Sequence, residues 1–312
     1  MTSPSFEPRE KAGSGGSIYD LGYRGYEGPR LGRRAAVAAL LVHSWRTAYG
    51  LGRNARSKIA PVGLVLLAVL PALLAIGVLV LFAQFAPALE ASDAIEALQP
   101  IRYATIFPFT ATFVFFFSAA QAPELFGRDQ LTGTLPLYFS RAVGRIDYAL
   151  ARLLGLFLAL AFMVFTPQVI LLVGRVLVAD DLGSGIGEEL SAVPAMLAVG
   201  IIVTAVVGTI SAAIAALTPR RAYATVAIVV VFLVPRLLAE SLVLLDSELP
   251  GQLAVLLSPS DVLDGVNAYV FGVEPELPAP RSAGLDLWVY VPAAAAWFMG
   301  CLLYTSDAAD DN

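Results

Sequence analysis

Few side chains in this sequence are of the types that catalysis or metal binding requires. His43 is the only histidine and Cys301 the only cysteine, so neither a histidine-based metal cluster nor a Ser-His-Asp triad can be assembled beyond one weak candidate. The two lysines, Lys11 and Lys58, both lie outside any GxxxxGK[ST] phosphate-binding loop. The sequence therefore predicts no enzyme, no bound metal or cofactor, and no ATP hydrolysis by this chain.

Charged residues within apolar stretches are the next candidates for chemistry. Arg236 and Glu240 are four residues apart in an otherwise apolar stretch, so they would share one face of a helix. They could neutralise each other as a structural pair, or they could line a translocation path across a membrane. The other predicted spans carry no acidic residue, which makes an ion-coupled secondary carrier a less favoured alternative.

The composition explains why such residues are scarce. Of the 312 residues, 58% are hydrophobic and only 14% are charged, whereas about a quarter are charged in ordinary soluble domains. Uncharged stretches of roughly 20 residues, long enough to cross the hydrocarbon core as helices, recur along the chain. The sequence therefore excludes a typical soluble enzyme and predicts an all-α, polytopic integral membrane protein.

Six transmembrane helices are predicted. They are residues 62–85, 103–122, 148–173, 192–217, 223–245 and a last stretch that begins at Leu287. The last stretch supplies apolar or small residues only as far as Gly300, about 21 Å of helix, which is too short to cross. We therefore expect the sixth span to be truncated.

The remaining segments divide the chain further. Residues 1–17 have the composition of a disordered leader. Residues 18–60 are predicted to be cytoplasmic and to contain an interfacial amphipathic helix over 33–49, and residues 61–300 form the transmembrane domain. The closing residues 301–312 resemble the translation of a sequencing-library adapter, so we expect them to be an artefactual tail.

The charge distribution predicts the orientation. Sixteen of the 20 basic residues fall in residues 1–60, around the connection after the second span, or in the turn after the fourth. Cytoplasmic segments of membrane proteins carry such an excess, so the N-terminus is predicted to be cytoplasmic. Eighteen of the 20 are arginine, which is typical of GC-rich bacterial genomes, and we expect a multi-pass protein of the bacterial plasma membrane.

The connection over residues 124–145 is the most informative segment. Its sequence, ELFGRDQLTGTLPLYFSRAVGR, contains seven large apolar side chains among glycines and charges. A solvated loop would not expose that much apolar surface. We therefore expect either a partner or the membrane surface to cover it.

The run FGRDQLTGTLPLYFSRAVGRIDYALARL resembles the corresponding loop of ABC transporter permeases of the type-2 exporter family. An acidic residue and Gly-Thr-Leu precede a Ser-Arg stretch there, and Arg-x-Asp-Tyr opens the third span. The upstream GYRGYEGPRLGRR and YGLGRNARSKIAP resemble the actinobacterial branch of these permeases. The likeness covers most of the chain.

This resemblance implies a function. Such permeases dimerise, as identical or different chains, bind separate cytoplasmic ATPase subunits that hold the ATP, and export hydrophobic or amphipathic molecules. It also implies short outer helices over residues 253–271 and a coupling helix within 124–145. The implied ATPase contacts are Phe126, Arg128, Asp129, Leu131 and Thr134. A membrane scaffold or accessory subunit that transports nothing is the alternative, and the bilayer, not nucleic acid, is the other expected partner.

Overall fold

The computed structural model describes residues 28, 31–89, 103–140, 143–179, 181–218, 220–245 and 248–310. The predicted leader over residues 1–17 lies outside the described residues. Within them the chain is helical throughout and contains no strand. The predicted all-α class is therefore confirmed.

Eleven α-helices are present in the described residues, with a 3₁₀ turn at Leu287–Val289. They are α1 (Gly32–Ala48), α2 (Ala55–Leu89), α3 (Tyr103–Leu131), α4 (Leu135–Phe139), α5 (Arg145–Val178), α6 (Leu182–Leu217), α7 (Arg221–Leu244), α8 (Glu248–Leu257), α9 (Pro259–Phe271), α10 (Pro278–Ser282) and α11 (Tyr290–Asp310). The residues of the expected artefactual tail, as far as Asp310, continue α11.

Five of these helices, α2, α3, α5, α6 and α7, are long and apolar enough to cross a membrane. Asp129, near the end of α3, contacts Arg152 near the start of α5. Tyr103, at the start of α3, contacts Arg175 near the end of α5. These contacts define two ends of the bundle, the Asp129 end and the Tyr103 end, between which successive long helices alternate in direction. The prediction of six spans is not confirmed, because the last apolar helix, Leu287–Leu303, is shorter than a full crossing.

Helix α1 packs lengthwise against the first half of α5. Arg33 bonds Asp147 at the start of both helices, with N–O distances of 2.7 and 2.8 Å. Further along, Ser44 lies against Gly155, and the Tyr49 hydroxyl donates to the Ala159 carbonyl at 2.7 Å. The contacts follow the same order along both helices, so α1 is fixed to the bundle along its length.

The second predicted span is longer than the sequence suggested. It was expected to end at Ala122, before Pro123, but α3 continues to Leu131. Pro123 has no N–H, which leaves the carbonyl of Ala119 without its helical donor. The hydroxyl of Thr225 on α7 donates to that carbonyl at 2.9 Å, so the helix continues through the proline.

The same compensation occurs at the other end of α3. Pro108 cannot donate to the carbonyl of Ala104, and the side-chain amide of Asn267 on α9 donates to it at 3.0 Å. Both prolines of α3 therefore create acceptors that neighbouring helices satisfy. Each freed carbonyl fixes the register of the helix that bonds it.

Helices α8 and α9 form a hairpin that packs into the bundle from the Tyr103 end. Gly251 of α8 lies against Val243 near the end of α7. At the turn of the hairpin, the Ser260 hydroxyl donates to the carbonyl of Phe232, midway along α7, at 2.8 Å. Ser258 caps α9 by accepting from the N–H of Asp261, and Pro259 occupies the first turn.

The close approach of α1 to α5 requires glycine at 155. A Cβ there would lie 2.5 Å from the Ser44 Cβ, while Gly77 on α2 has open space. We therefore expect Gly155→Ala to lower stability by about 1–3 kcal/mol through overpacking. The measurement is the apparent melting temperature of the detergent-purified protein.

Gly77→Ala is the matched control, since it makes the same change in another long helix. Alanine is favoured over glycine within a helix by about 1 kcal/mol, so this variant should melt at the same or a higher temperature. Equal effects of the two substitutions would show that α1 does not pack on α5 at Gly155.

Candidate functional site

The Asp129 end of the bundle contains a carboxylate that holds three arginines. Glu124, near the end of α3, accepts from Arg53 before α2, from Arg128 at 3.2 Å and from Arg221 at the start of α7 at 3.0 Å. The Glu124 side chain is largely buried while the arginines are more exposed. One acidic residue therefore connects α2, α3 and α7.

A second, deeper cluster lies five residues further along α3. Asp129 forms an ion pair with Arg152 of α5 and accepts from the Tyr148 hydroxyl at 2.7 Å. Arg152 also donates to the Ser44 hydroxyl of α1 at 3.2 Å. All four residues are buried. This cluster, which we call the Asp129 cluster, joins α1, α3 and α5.

Beyond these clusters the chain forms a short projection, residues 128–139, which we call the α3–α4 tip. The Thr134 backbone N–H donates to the Asp129 carbonyl at 3.1 Å and starts the turn into α4. Tyr138 and Phe139 of α4 pack on the ring of Tyr148, with centroid distances of 5.3 and 6.0 Å. The tip is therefore held against the Asp129 cluster on one side.

The other side of the tip exposes apolar side chains. Leu131 is 69% exposed and Leu137 is 68% exposed, and Ile146, at the start of α5, is 75% exposed. They are accompanied by Arg128, whose side chain is 54% exposed. An apolar patch with a charged border at the polar end of a bundle is typical of a surface that binds another molecule.

The predicted contact residues occupy different positions in this structure. Phe126, Arg128 and Asp129 lie on α3 itself rather than in a loop, which corrects the expected boundary of that segment. Arg128 and Leu131 are exposed, Thr134 is half-buried, Phe126 packs partly on the main core, and Asp129 is buried. Asp129 is therefore closed to contact from outside, while Arg128 and Leu131 are fully open to it and Phe126 and Thr134 are partly open.

The second predicted pair, Arg236 and Glu240, lies on α7. Among the described residues no ion pair within 4.0 Å joins them, and both side chains are half-buried. Arg236 lines a groove between α3 and α7 together with Ser260 of the α8–α9 hairpin. The arginine therefore faces the hairpin.

Sequence reasoning placed Asp261 and Asp264 in an external segment and gave them no role. The structure buries both, one helical turn apart on α9. The signal was present as Asp-x-x-Asp-x-x-Asn, a three-residue spacing that places polar side chains along one side of a helix. Two acids within an apolar helix would have indicated a buried polar face.

At the Tyr103 end another polar cluster closes the bundle. Glu189 of α6 accepts from Arg175 of α5 at 2.7 Å and from the Tyr103 hydroxyl of α3. The Arg175 guanidinium also lies over the Tyr103 ring, 5.7 Å from its centroid. Three helices are thus joined at this end as well, by one carboxylate.

Comparison with protein-family models and with curated proteins finds no match for this chain. The described residues contain no group of three histidine, cysteine or acidic side chains placed to hold a metal ion. The geometry of the Asp129 end itself is therefore the basis for a function. The exposed tip follows directly from α3, which is joined to α5 by the buried Asp129–Arg152 pair and to α7 by the more exposed Glu124–Arg221 pair.

Removing one partner of the Asp129 cluster should be far more damaging than removing an exposed partner of Glu124. Asp129→Ala leaves the buried Arg152 charge uncompensated, which costs about 3–5 kcal/mol. Arg128→Ala removes an exposed ion pair worth about 0–1 kcal/mol. Thermal unfolding of the two purified variants should therefore show a large loss for the first and almost none for the second.

The double variant Asp129→Ala/Arg152→Ala separates the ion pair from simple loss of packing. It should be more stable than the sum of its two single variants implies, because neither charge remains buried alone. Additive losses would contradict the assignment of this pair as a coupled element.

Proposed function

We propose that this chain is the membrane-spanning permease subunit of an ATP-driven ABC exporter, which moves a hydrophobic or amphipathic molecule outward. The energy would come from separate ATPase subunits on the cytoplasmic side, and a second permease chain would complete the transporter. The membrane character rests on the five long apolar helices. The exporter assignment rests on the sequence resemblance and on the α3–α4 tip.

The observation that carries the proposal is the attachment of this tip. The exposed patch around Leu131 follows directly from α3, whose last turns are held by Glu124 and Asp129. Through these carboxylates a load on the end of α3 would reach α5 at Arg152, α7 at Arg221 and the turn before α2 at Arg53, and it would reach α1 through the hydrogen bond of Arg152 to Ser44. Coupling of ATP hydrolysis to transport requires such a connection between the partner and the spans.

The chemistry of the tip suits a protein partner. Leu131 and Leu137 offer apolar contact area, and Arg128 supplies a charge that remains partly exposed beside Glu124. Protein interfaces combine an apolar centre with a polar rim in this way. In the proposed orientation the patch lies on the cytoplasmic side, where the ATPase is.

We expect Leu131→Glu to reduce ATP hydrolysis stimulated by the permease at least tenfold. A charge at the centre of an apolar contact loses its hydration without gaining a partner. The measurement is the ATPase rate of the co-purified or co-reconstituted ATPase, together with the amount of ATPase retained on the tagged permease.

Leu245→Glu is the matched control, because Leu245 is 74% exposed just after α7 ends, at the other end of the bundle. It should leave both readings unchanged. Similar losses in both variants would show a general effect of an added charge. Undiminished stimulation and retention in Leu131→Glu would exclude the tip as the docking site.

The same two leucines test the orientation. In a Cys301→Ser background, a membrane-impermeant maleimide added to intact cells should label Leu245→Cys and leave Leu131→Cys unlabelled. Both positions should react after permeabilisation, since both are exposed. Labelling of Leu131→Cys in intact cells would reverse the topology and exclude a cytoplasmic ATPase at the tip.

A further inference from the structure

Helix α9 carries a row of buried polar side chains that the proposed coupling of ATPase and permease does not use. Asp261 is 0% exposed, and Asp264 and Asn267 are each 1% exposed. Their three-residue spacing places them on successive turns of the helix. Two acids with almost no access to solvent are therefore one turn apart.

Most acceptor atoms of this row have no donor. Both carboxylate oxygens of Asp261, Oδ1 of Asp264 and Oδ1 of Asn267 have no partner in hydrogen-bond geometry, and the nearby Ser258 hydroxyl is the side chain that most favours ionised Asp261. The other atoms are satisfied: Asp264 Oδ2 accepts from the N–H of Leu277 at 2.9 Å, and the Asn267 amide donates to Ala104. The row therefore lacks hydrogen-bond donors for its acceptor oxygens.

The charges that surround the row do not neutralise it. On α7, Arg236 favours ionisation of both acids, while Glu240 opposes ionisation of Asp261. The carboxylate of Glu276, before α10, opposes ionisation of Asp264 while the backbone of Glu276 favours it, and Tyr290 of α11 faces both acids. Within the described residues neither acid forms an ion pair within 4.0 Å.

A buried carboxylate without a partner is costly, and two of them one turn apart also repel each other. Burial raises the pKa of Asp261 to about 7 and the pKa of Asp264 to about 6. The effect of Arg236 is in the opposite direction and smaller than that of burial. Because the two acids interact, they titrate as a pair.

We propose that Asp261 and Asp264 form a proton-binding site, which takes up a proton as the pH falls through neutrality and whose deprotonation weakens the packing of α9 in the bundle. A proton supplies what the row lacks, since it turns a carboxylate into a neutral group that donates a hydrogen bond. The site is a property of this chain alone and does not depend on the ATPase partner.

A proton fits these residues better than a metal ion. The described residues contain no group of three metal-ligating side chains, and α9 contributes only two carboxylates. The guanidinium of Arg236 acts on both acids and would also repel a bound cation. A proton adds directly to the oxygen and requires no coordination shell.

A groove lies beside the site. The groove between α3 and α7 is lined by Arg236, Phe232 and Ser260, and Ser260 precedes Asp261 in the chain. The polar side chains of Arg236, Ser260 and Thr112 border this groove. Arg236, whose charge acts on both acids, is thus partly accessible from this groove.

Deprotonation would act on several helices at once, because α9 is packed on all sides. Ser260 bonds Phe232 on α7, Asn267 bonds Ala104 on α3, and Gly265 lies against the ring of Tyr290 on α11. A Cβ at Gly265 would come within 2.2 Å of that ring. A new charge on this helix has little room to recruit water without displacing a neighbour.

Infrared spectroscopy of the full chain in lipid nanodiscs tests the site directly. Wild type should show the C=O stretch of a protonated carboxyl that disappears on titration between roughly pH 5 and pH 8. Asp261→Asn or Asp264→Asn should remove most of that signal. Asp286→Asn, a change at an exposed acid, should keep it. Absence of the signal from wild type would overturn the proposal.

The proposal also predicts the direction in which the stability of the protein changes with pH. An unfolded carboxyl has an ordinary pKa of about 4, so unfolding releases the proton above that pH, and stability should fall as the pH rises between roughly 4 and 7. The apparent melting temperature of wild type and Asp286→Asn should follow that slope. Asp261→Asn mimics the protonated form, so it should flatten the slope and melt higher than wild type at the alkaline end.

Three outcomes would overturn the assignment. One is a slope in Asp261→Asn and Asp264→Asn as steep as in wild type. Another is restoration of the alkaline melting temperature by Na⁺ but not by an equal concentration of choline, which would indicate a cation site. If the variants do not fold, a wild-type carboxyl signal that is independent of pH would still exclude titration.

Discussion

The structure depends most on the requirement that a buried charge be paired. Arg152 and Asp129 are both buried, on different helices, and an isolated charge at either position would be strongly unfavourable. The pair fixes how far α3 and α5 can slide relative to each other. Because Arg152 also bonds Ser44, and Tyr148 bonds Asp129, the position of α1 and the start of α5 follow from the same constraint.

The same requirement governs neutral polar groups in α3. This helix contacts α1, α2, α5, α6, α7 and α9, and its two prolines each free a carbonyl in the bundle. Thr225 and Asn267 satisfy those carbonyls. The prolines, which sequence rules treat as helix breakers, therefore serve here as specific attachment points for α7 and α9. Helix α3 is continuous because side chains of neighbouring helices replace the two hydrogen bonds that its prolines cannot make.

The sequence was sufficient for the features that depend on local composition. Five apolar helices long enough to cross a membrane and a helix before them follow from apolar length and spacing, and each has a counterpart in the structure. The short outer helices that the resemblance implies over residues 253–271 correspond in part to α8 and α9. The end of α3 could not be predicted in this way. Pro123 predicts that the helix ends, but Thr225, 102 residues away in the chain, bonds the carbonyl that the proline leaves without a donor, and the helix continues.

The candidate site was predictable only in part, for a related reason. The apolar content of residues 124–145 identified the segment that exposes Leu131 and Leu137. Arg128 and Asp129 are adjacent in the chain, but Arg128 is exposed and Asp129 is buried. The sequence could not predict this difference in burial, because the partner of Asp129 is on another helix. Asp261 and Asp264 were assigned to an external segment, since the return of α9 to the level of Phe232 is a tertiary contact.

The two ends of α3 differ in a way that bears on transmission. At one end, every carboxylate of Glu124 and Asp129 has an arginine partner, so the α3–α4 tip is fixed. At the other end, Tyr103 of α3 bonds Glu189, which pairs with Arg175, and α3 meets α9 through a neutral hydrogen bond from Asn267 to Ala104. Asn267 is one helical turn from Asp264, whose Oδ1 lacks a donor. The proposed change in protonation of Asp261 and Asp264 would therefore act on α3 through a contact that contains no ion pair, and it would leave the pairs of Glu124, Asp129 and Glu189 in place.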